Sequence, residues 1–421
     1  MNYDEAKRCL KEASERGSIL GLERVKELLR LLGDPQEKVK IIHVSGTNGK
    51  GSFGAMLTSV LREAGYRTGG FSSPAITEVT DSYRINCAEI SKEKFADIIG
   101  IIAPVCEKMT EKPTEFEILA AAAYVLFAEE KCDIAVVECG MGGDTDATNV
   151  INAPVLSVIT NVQSDHYGFL GNTIAEIASH KAGIIKPNRP VYFGGDSAEA
   201  LNVIEAKAKE MDSPLTLADK TDISDIAYSL EGINMIWRGK PLRTPLSGSY
   251  QLDNTVNVLL CADILKKLGF DISDDALKNG LAKTKWHGRF EILRREPYVI
   301  FDGAHNPDGI HFAADTISRY FKEKVAILIG VMADKEYGLY ADMLGKYIDK
   351  AFTVKPDNPR ALDSKTLAGV FTEKGIEAEG FDVLADGVRS AYSYAKEKNI
   401  PLIALGSLYM YREFTKYLEM N

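Results

Sequence analysis

HVSGTNGKGS, residues 43–52, is the stretch from which the fold of this 421-residue chain can be read. It lies between an apolar strand pattern, VKIIHVS (39–45), and an amphipathic helix pattern beginning near Ser52. Phe53, Met56, Leu57, Val60, Leu61 and Ala64 recur at the spacing of one helix face. Gly65 follows as the expected left-handed residue past the helix end. A glycine-rich turn between a strand and a helix aims backbone N–H groups and a helix N-terminus at one point, which suits a phosphate. Lys50 adds a positive charge on a flexible stem, and Ser52 a hydroxyl able to reach a Mg²⁺-bound phosphate. The loop departs from a strict GxxxxGK[ST] pattern: Val44 stands where the first glycine belongs, and Gly51 separates Lys50 from Ser52. An ordinary glycine-rich corner is the plain alternative. The flanking strand and helix are the context a phosphate loop requires, so ATP is the expected ligand.

A chain of this length is expected to form two or three domains. Hydrophobic residues make up 45% and charged residues 26%, the composition of soluble globular proteins. No apolar run reaches the roughly 18 residues of a membrane helix, and the start MNYDEAKRCL lacks the form of a secretory signal, so a cytoplasmic protein without membrane partners is expected. A net charge of −10 argues against broad electrostatic binding of nucleic acid. The six cysteines include no CxxC pair; Cys132 and Cys139 flank an apolar strand and read as buried thiols, which fits a reducing compartment and offers no zinc site.

Strand patterns alternate with helical ones, the signature of a parallel sheet with covering helices. Strands are expected near 67–73, 133–139, 155–162 and 189–195, and helices over 116–130 and from Thr173 to about Ala182, where Thr173 and Glu176 have capping-box spacing. Residues 213–249, with Pro214, Pro241 and Pro245, suggest small β-hairpins. Helices are expected over 251–268 and 273–283. A second α/β series runs through strands 298–302, 325–331, 350–354 and 400–406. The fold class is therefore α/β: a phosphate-loop domain with a mostly parallel sheet over 1–290, and a smaller doubly wound domain over 291–421, joined near GRFE (288–291).

Polar clusters sit at the C-terminal ends of these strands, the edge where open α/β sheets bind ligands. Besides the phosphate loop they are Ser72-Ser73-Pro74, ECGMGGDTDATN (138–149) and TNVQSDH (160–166). Glu138 reads as a Mg²⁺ ligand or water-positioning carboxylate, or as a cap for the glycine turn after it. His166 beside Asp165 reads as a metal partner or a loop histidine bonded to a carbonyl. Lys181, near a helix end, reads on its own as a complement to the helix dipole.

GTNGKGS, SSP, ECGMGG with DATN, the strand-end DH, HKAGI, GRFE, DGAHNPDG, DNPRAL and GSLY, in this order, resemble the folylpolyglutamate synthase/dihydrofolate synthase family of the Mur ligase superfamily. The resemblance spans almost the whole chain. It implies an ATP-dependent amide ligase that phosphorylates a folate or dihydropteroate carboxylate to an acyl phosphate, which the amine of L-glutamate then attacks. Such a transfer needs charge neutralisation and positioning more than a covalent nucleophile. It implies that Gly46, Thr47, Asn48, Gly49, Lys50, Gly51 and Ser52 cradle the ATP phosphates, and that Ser73, Glu138 and His166 hold Mg²⁺. Lys181 matches a lysine carbamylated by CO₂, an anionic group supporting a second metal. Asn254, Arg289 and Asp302 match nucleotide contacts, with Lys50, Lys181, Asp302 and His305 the catalytic candidates. Arg84, His305 and Ser407 are the substrate-side candidates. A monomer with small-molecule partners only is implied.

The departures from the family pattern lie in loops. Ala75-Ile76 follow Pro74 where HL is common, and Tyr83-Arg84-Ile85 replaces ERI. Asp144 stands in place of an arginine, His180 in place of a glutamate before the lysine, and His287 in place of a proline before GRFE. These changes leave open a paralogue acting on a different carboxylate, or a nucleotide-binding switch without ligase activity.

Overall fold

The computed structural model describes residues 1–164 and 170–420, the last of these in its backbone only. The chain forms two compact units, Met1–Asp222 with Asp253–Thr284, and Ile223–Leu252 with Lys285–Asn421. The boundary expected at 290/291 is a single cut, whereas these units interleave.

In the first unit, β1 (Lys40–Ser45), β2 (Thr68–Phe71), β3 (Tyr83–Ile85), β4 (Ala88–Glu89), β5 (Ile134–Glu138), β6 (Leu156–Ile159), β7 (Val191–Phe193) and β8 (Leu215–Leu217) form one sheet, ordered β4-β3-β2-β5-β1-β6-β7-β8. All neighbours are parallel except β2–β3 and β3–β4, which add an antiparallel edge. The central strands are buried along nearly their whole length, as strands covered on both faces must be. Val44 pairs with Glu138, and Ser45 with Ile159, so the segments after β1, β5 and β6 leave one sheet edge side by side.

The helix after the phosphate loop runs Lys50–Glu63, with Gly65 left-handed just beyond it, as the spacing predicts. Helices Glu115–Glu129 and Ile174–Ala182 begin with the capping boxes Thr114/Glu117 and Thr173/Glu176. Two N-terminal helices, Tyr3–Ser14 and Glu23–Leu31, bury Ala6, Leu10, Ala13, Val25, Leu28 and Leu29 in the apolar core on one face of the sheet. A second core on this unit joins Ile159 and Phe193 to Ile177, Ala178 and Ile204 of the following helices.

Residues 215–217, read as part of the hairpin region, instead extend the large sheet in parallel. The rest of that region forms an antiparallel meander in the second unit: β9 (Ile223–Ser229), β10 (Gly232–Trp237) and β11 (Lys240–Thr244). Pro241 lies on edge strand β11, where its missing N–H is harmless. The second unit's main sheet comprises β12 (Glu291–Arg295), β13 (Tyr298–Phe301), β14 (Val325–Ile329), β15 (Ile348–Val354), β16 (Ala378–Phe381) and β17 (Leu402–Leu405). Its order is β12-β13-β17-β14-β15-β16, parallel except for β12–β13. No helix among the described residues is long and apolar enough to cross a membrane, and all six cysteines are free thiols.

Candidate active site

The phosphate loop is held open by two glycines. Gly49 has φ +85°, and a Cβ there would lie 2.3 Å from Asn254 Oδ1. Gly46 has φ +147°, and a Cβ there would lie 1.9 Å from Thr160 Oγ1. Both positions need glycine for conformation and for space. Asn254, expected on the nucleotide side, thus touches the loop.

The segment after β6 straps the same loop. Thr160 Oγ1 donates to the Asn48 carbonyl at 2.7 Å. The Thr47 and Asn48 N–H groups donate to Asn161 Oδ1 at 3.2 and 2.9 Å. Asn48 Nδ2 donates to Gln163 Oε1 at 2.8 Å, and the Gln163 N–H to Thr47 Oγ1 at 3.0 Å. Lys50 Nζ donates to the carbonyls of Gly46 (2.9 Å) and Thr47 (3.2 Å), and lies 3.8 Å from Glu138 Oε1. Ser52 is buried in the first turn of the helix, and Gly51 stands between it and Lys50.

Glu138 ends β5 as a buried carboxylate, and the loop after it is built around Asp146. Asp146 accepts the N–H groups of Met141 (2.8 Å) and Thr148 (3.0 Å) and the Thr148 hydroxyl (2.5 Å). Burial pushes the Asp146 carboxyl above its usual range, and these donors pull against it. His43, fully buried on β1, meets Thr148 Oγ1 at 2.9 Å through Nε2. Because Thr148 commits its proton to Asp146, Nε2–H of His43 is the donor there, with Cys139 Sγ also 3.2 Å from Nε2, and Nδ1 is a buried lone pair without a hydrogen-bond partner among the described residues. Burial, reinforced by Lys186, holds the His43 pKa down at about 3, so the ring is neutral.

The same loop is latched to the helix that carries Lys181. The Asp144 N–H donates to the His180 carbonyl at 2.9 Å, and His180 Nδ1 lies 2.9 Å from both Asp144 carboxylate oxygens. Asn149 Nδ2 donates to the carbonyls of Asp144 and Gly183, both at 3.1 Å. Lys181 is only 3% exposed. Ser73 Oγ is buried with no hydrogen-bond partner among the described residues. His166 lies outside the described residues. Among the described residues no three His, Cys, Asp or Glu side chains converge to cage a metal. The buried oxygen donors Ser73 and Glu138 are of the kind that suits Mg²⁺, which takes few protein ligands and completes its shell with water and phosphate oxygens.

Arg84 lies on β3 opposite Gly70, with NH1 3.4 Å from Ser72 Oγ and NH2 3.2 Å from Glu89 Oε1. Tyr83 beside it faces the core, donating its hydroxyl to the Leu119 carbonyl at 3.0 Å, so that departure from the family pattern falls on a packing residue. Asp81 organises the loop after Pro74 by accepting N–H groups of Ile76, Thr77 and Glu78.

In the second unit, DGAHNP turns β13 into the helix Pro307–Tyr320. Asn306 caps that helix through the Gly309 N–H at 2.8 Å, with Pro307 in its first turn. Asp302 is 2% exposed and accepts the Ala304 N–H and the Tyr250 hydroxyl, each at 2.9 Å. Burial raises its pKa, and the nearby Arg289 opposes that rise. His305 Nδ1 lies 2.8 Å from the Gly303 carbonyl, which only accepts, so Nδ1 carries a proton and braces the turn. Ser407 is buried and caps the short turn Leu408–Met410, accepting the Tyr409 N–H at 3.2 Å. Within the first unit the structure thus gathers Lys50, Glu138, Asn254 and the loop glycines, and within the second Asp302 and Arg289. Thr160, Asn161 and Gln163, whose side chains bind the loop, received no individual role from the sequence, although TNVQ at a strand end was the signal available. Tyr250 was missed as well.

Residues 44–262 match the Mur ligase middle domain, and residues 288–407 the Mur ligase, glutamate ligase domain. The chain is 34% identical to the dihydrofolate synthase/folylpolyglutamate synthase of Bacillus subtilis, over 99% of both chains. It is 33% identical to the folylpolyglutamate synthase of Lacticaseibacillus casei, over 97% of each. The crystal structure of Mycobacterium tuberculosis folylpolyglutamate synthase complexed with ADP and AMPPCP superposes with a TM-score of 0.87 at 27% identity, covering 99% of this chain and 98% of that one. With the phosphate loop, its strap and the two α/β units in place, these matches show that the chain belongs to the folylpolyglutamate synthase/dihydrofolate synthase family of Mur ligases.

Proposed function

We propose that this protein is an ATP-dependent acid–amino-acid ligase that adds L-glutamate to a folate or dihydropteroate carboxylate through an acyl phosphate. The observation that carries the reading is the phosphate loop with Lys50 set between loop carbonyls and Glu138, in a chain that matches these ligases from end to end. Gly46 to Ser52 cradle the phosphates, and Lys50 neutralises charge on the transferring group. A carboxylate oxygen of the acceptor attacks the γ-phosphorus and ADP leaves. The glutamate amine then attacks the acyl carbon, loses a proton, and inorganic phosphate departs as the amide forms. Positioning and charge neutralisation supply the rate, because the donor already carries its leaving group.

Ser73 and Glu138, with His166, are the groups we assign to Mg²⁺, which when bound would neutralise phosphate charge. The Ser73 hydroxyl, buried and without a hydrogen-bond partner among the described residues, supports that assignment. We assign a carbamate to Lys181, whose burial shields it from the protonation that releases CO₂. Asn254, Arg289 and Asp302 serve the nucleotide, Arg84 the acceptor, and His305 and Ser407 the amino-acid side. Residues 1–290 would serve as the ATP-binding domain and 291–421 as the glutamate-ligase domain. We read the protein as a cytoplasmic monomer, and the net charge of −10 argues against nucleic-acid partners. The test is ADP formation with Mg·ATP and L-glutamate, comparing dihydropteroate with tetrahydrofolate. Turnover with dihydropteroate alone defines a dihydrofolate synthase, and turnover with both a bifunctional enzyme. ATP binding without turnover on either overturns the folate reading.

A further inference from the structure

Asp302 is a carboxylate that burial would destabilise without donors. Its two oxygens are served from different places: Oδ1 by the Ala304 N–H of its own turn, Oδ2 by the hydroxyl of Tyr250, fifty-two residues earlier in the chain. Tyr250 ends the segment SGSY (247–250), which is fastened within the second unit. Ser247 Oγ donates to the Phe290 carbonyl at 3.1 Å, and the Tyr320 hydroxyl to the Ser247 carbonyl at 2.6 Å. The Ser249 N–H donates to Thr316 Oγ1 at 3.0 Å. The Tyr250 ring stands edge-on to Phe312, with centroids 6.1 Å apart. The phenol is thus fixed before any ligand arrives, its hydroxyl donating to Asp302 with the Gln251 side chain hydrogen-bonded beside it. Arg289 shares the cluster: a Cβ on Gly303, next to Asp302, would lie 2.4 Å from Arg289 NH1.

We propose that Tyr250 is a positioning residue of the ligase, its hydroxyl holding the Asp302 carboxylate in one rotamer beside Arg289 so that both meet the nucleotide preorganised. The proposal rests on the reading of Asp302 as a nucleotide-facing residue. Among the described residues, the charged and titratable groups that face Asp302 are Tyr250 from the 247–250 segment and Arg289 from the 288–290 turn, with the Ala304 and Phe290 N–H groups adding donors.

Tyr250→Phe removes one oxygen and keeps the ring. A hydrogen bond to a charged group corresponds to about a 10- to 100-fold effect, so kcat/KM for ATP should fall by about that factor while KM for the folate acceptor stays unchanged. The acid limb of the pH profile of kcat/KM for ATP should move up, because the carboxylate has lost a donor to its charged form. Site-specific 3-fluorotyrosine, a stronger donor of the same shape, should move that limb down, and it serves as the test should Tyr250→Phe not fold. Asp302→Asn is the control for the underlying reading. If Asp302→Asn is crippled but neither change at Tyr250 alters ATP kinetics or the acid limb, the positioning role is wrong. If Asp302→Asn turns over as the parent does, the reading of Asp302 fails and the role of Tyr250 falls with it.

Discussion

His180 Nδ1 lies 2.9 Å from both carboxylate oxygens of Asp144, so two departures from the family pattern, thirty-six residues apart, form one contact. Asp144 stands where the family pattern has an arginine and His180 where it has a glutamate, so the acidic partner has changed sides. The pair is partly solvent-exposed and should contribute roughly 0–1 kcal/mol. Its value is geometric, since it fastens the loop after Glu138 to the end of the helix carrying Lys181. Asp144→Arg alone should lower the melting temperature and kcat, because a guanidinium then faces an imidazole. Adding His180→Glu should restore both. Melting curves and kcat for the two singles and the double check this, and additive losses would show that the contact is incidental.

Gly49→Ala should be among the most damaging single-methyl changes in the chain. It places a Cβ at φ +85° and 2.3 Å from Asn254 Oδ1. The backbone strain alone is about 1–3 kcal/mol, and the displaced loop should raise KM for ATP by at least about tenfold. ATP titration of the folded variant measures it.

Glu138→Gln keeps the shape and removes the charge 3.8 Å from Lys50. The Mg²⁺ concentration for half-maximal activity should rise by about tenfold or more, as expected when one charged ligand of a metal held by few protein groups is lost. A Mg²⁺ titration with unchanged midpoint would remove Glu138 from the metal site.

Lys181→Ala should lose most activity, and short carboxylic acids or bicarbonate should restore part of it by supplying the anionic oxygen. A ¹³C carbamate signal from the parent enzyme in labelled bicarbonate, absent in the variant, gives a readout independent of turnover. Full activity in the plain variant would sink the assignment.

His43 makes the fold acid-sensitive. Its folded pKa is depressed to about 3 from the ordinary 6.5, so between those values the unfolded chain binds a proton that the folded chain does not. Stability from this group is present above about pH 6.5 and is lost as pH falls toward 3, at a slope of about 1.4 kcal/mol per pH unit. Asp146 and Asp302, whose carboxyls burial pushes up, act with the opposite sign, favouring the fold below their unfolded values. They are common to both proteins in a comparison. His43→Gln should therefore flatten the stability profile between pH 4 and 6 by about that slope, measured by urea unfolding.

Elements whose pattern repeats within a few residues were legible. The strand–loop–helix at 39–65 shows its face at helical spacing, and Thr173 announces its helix through a capping box. The central strands are apolar throughout because both of their faces are covered. The hairpin Tyr83–Glu89 was not legible, since two- and three-residue strands carry no period. The N-terminal helices are short and mostly polar, with only a narrow apolar stripe. Contacts set by tertiary placement were out of reach: Tyr250 to Asp302, His43 to Thr148, Asp144 to His180. In each, a polar residue finds its partner across tens of residues, which depends on strand order rather than local spacing. The carbamate proposed on Lys181 rests on resemblance alone, because a lysine at a helix end has a sufficient local explanation in the dipole.

The most direct test of the central claim is oxygen transfer from the acceptor. The enzyme is supplied with Mg·ATP, L-glutamate and dihydropteroate or tetrahydrofolate labelled with ¹⁸O in the reacting carboxylate, and the inorganic phosphate is analysed by mass. Formation of an acyl phosphate predicts one ¹⁸O in each phosphate released with product. Amide product with unlabelled phosphate would contradict activation of the carboxylate by ATP.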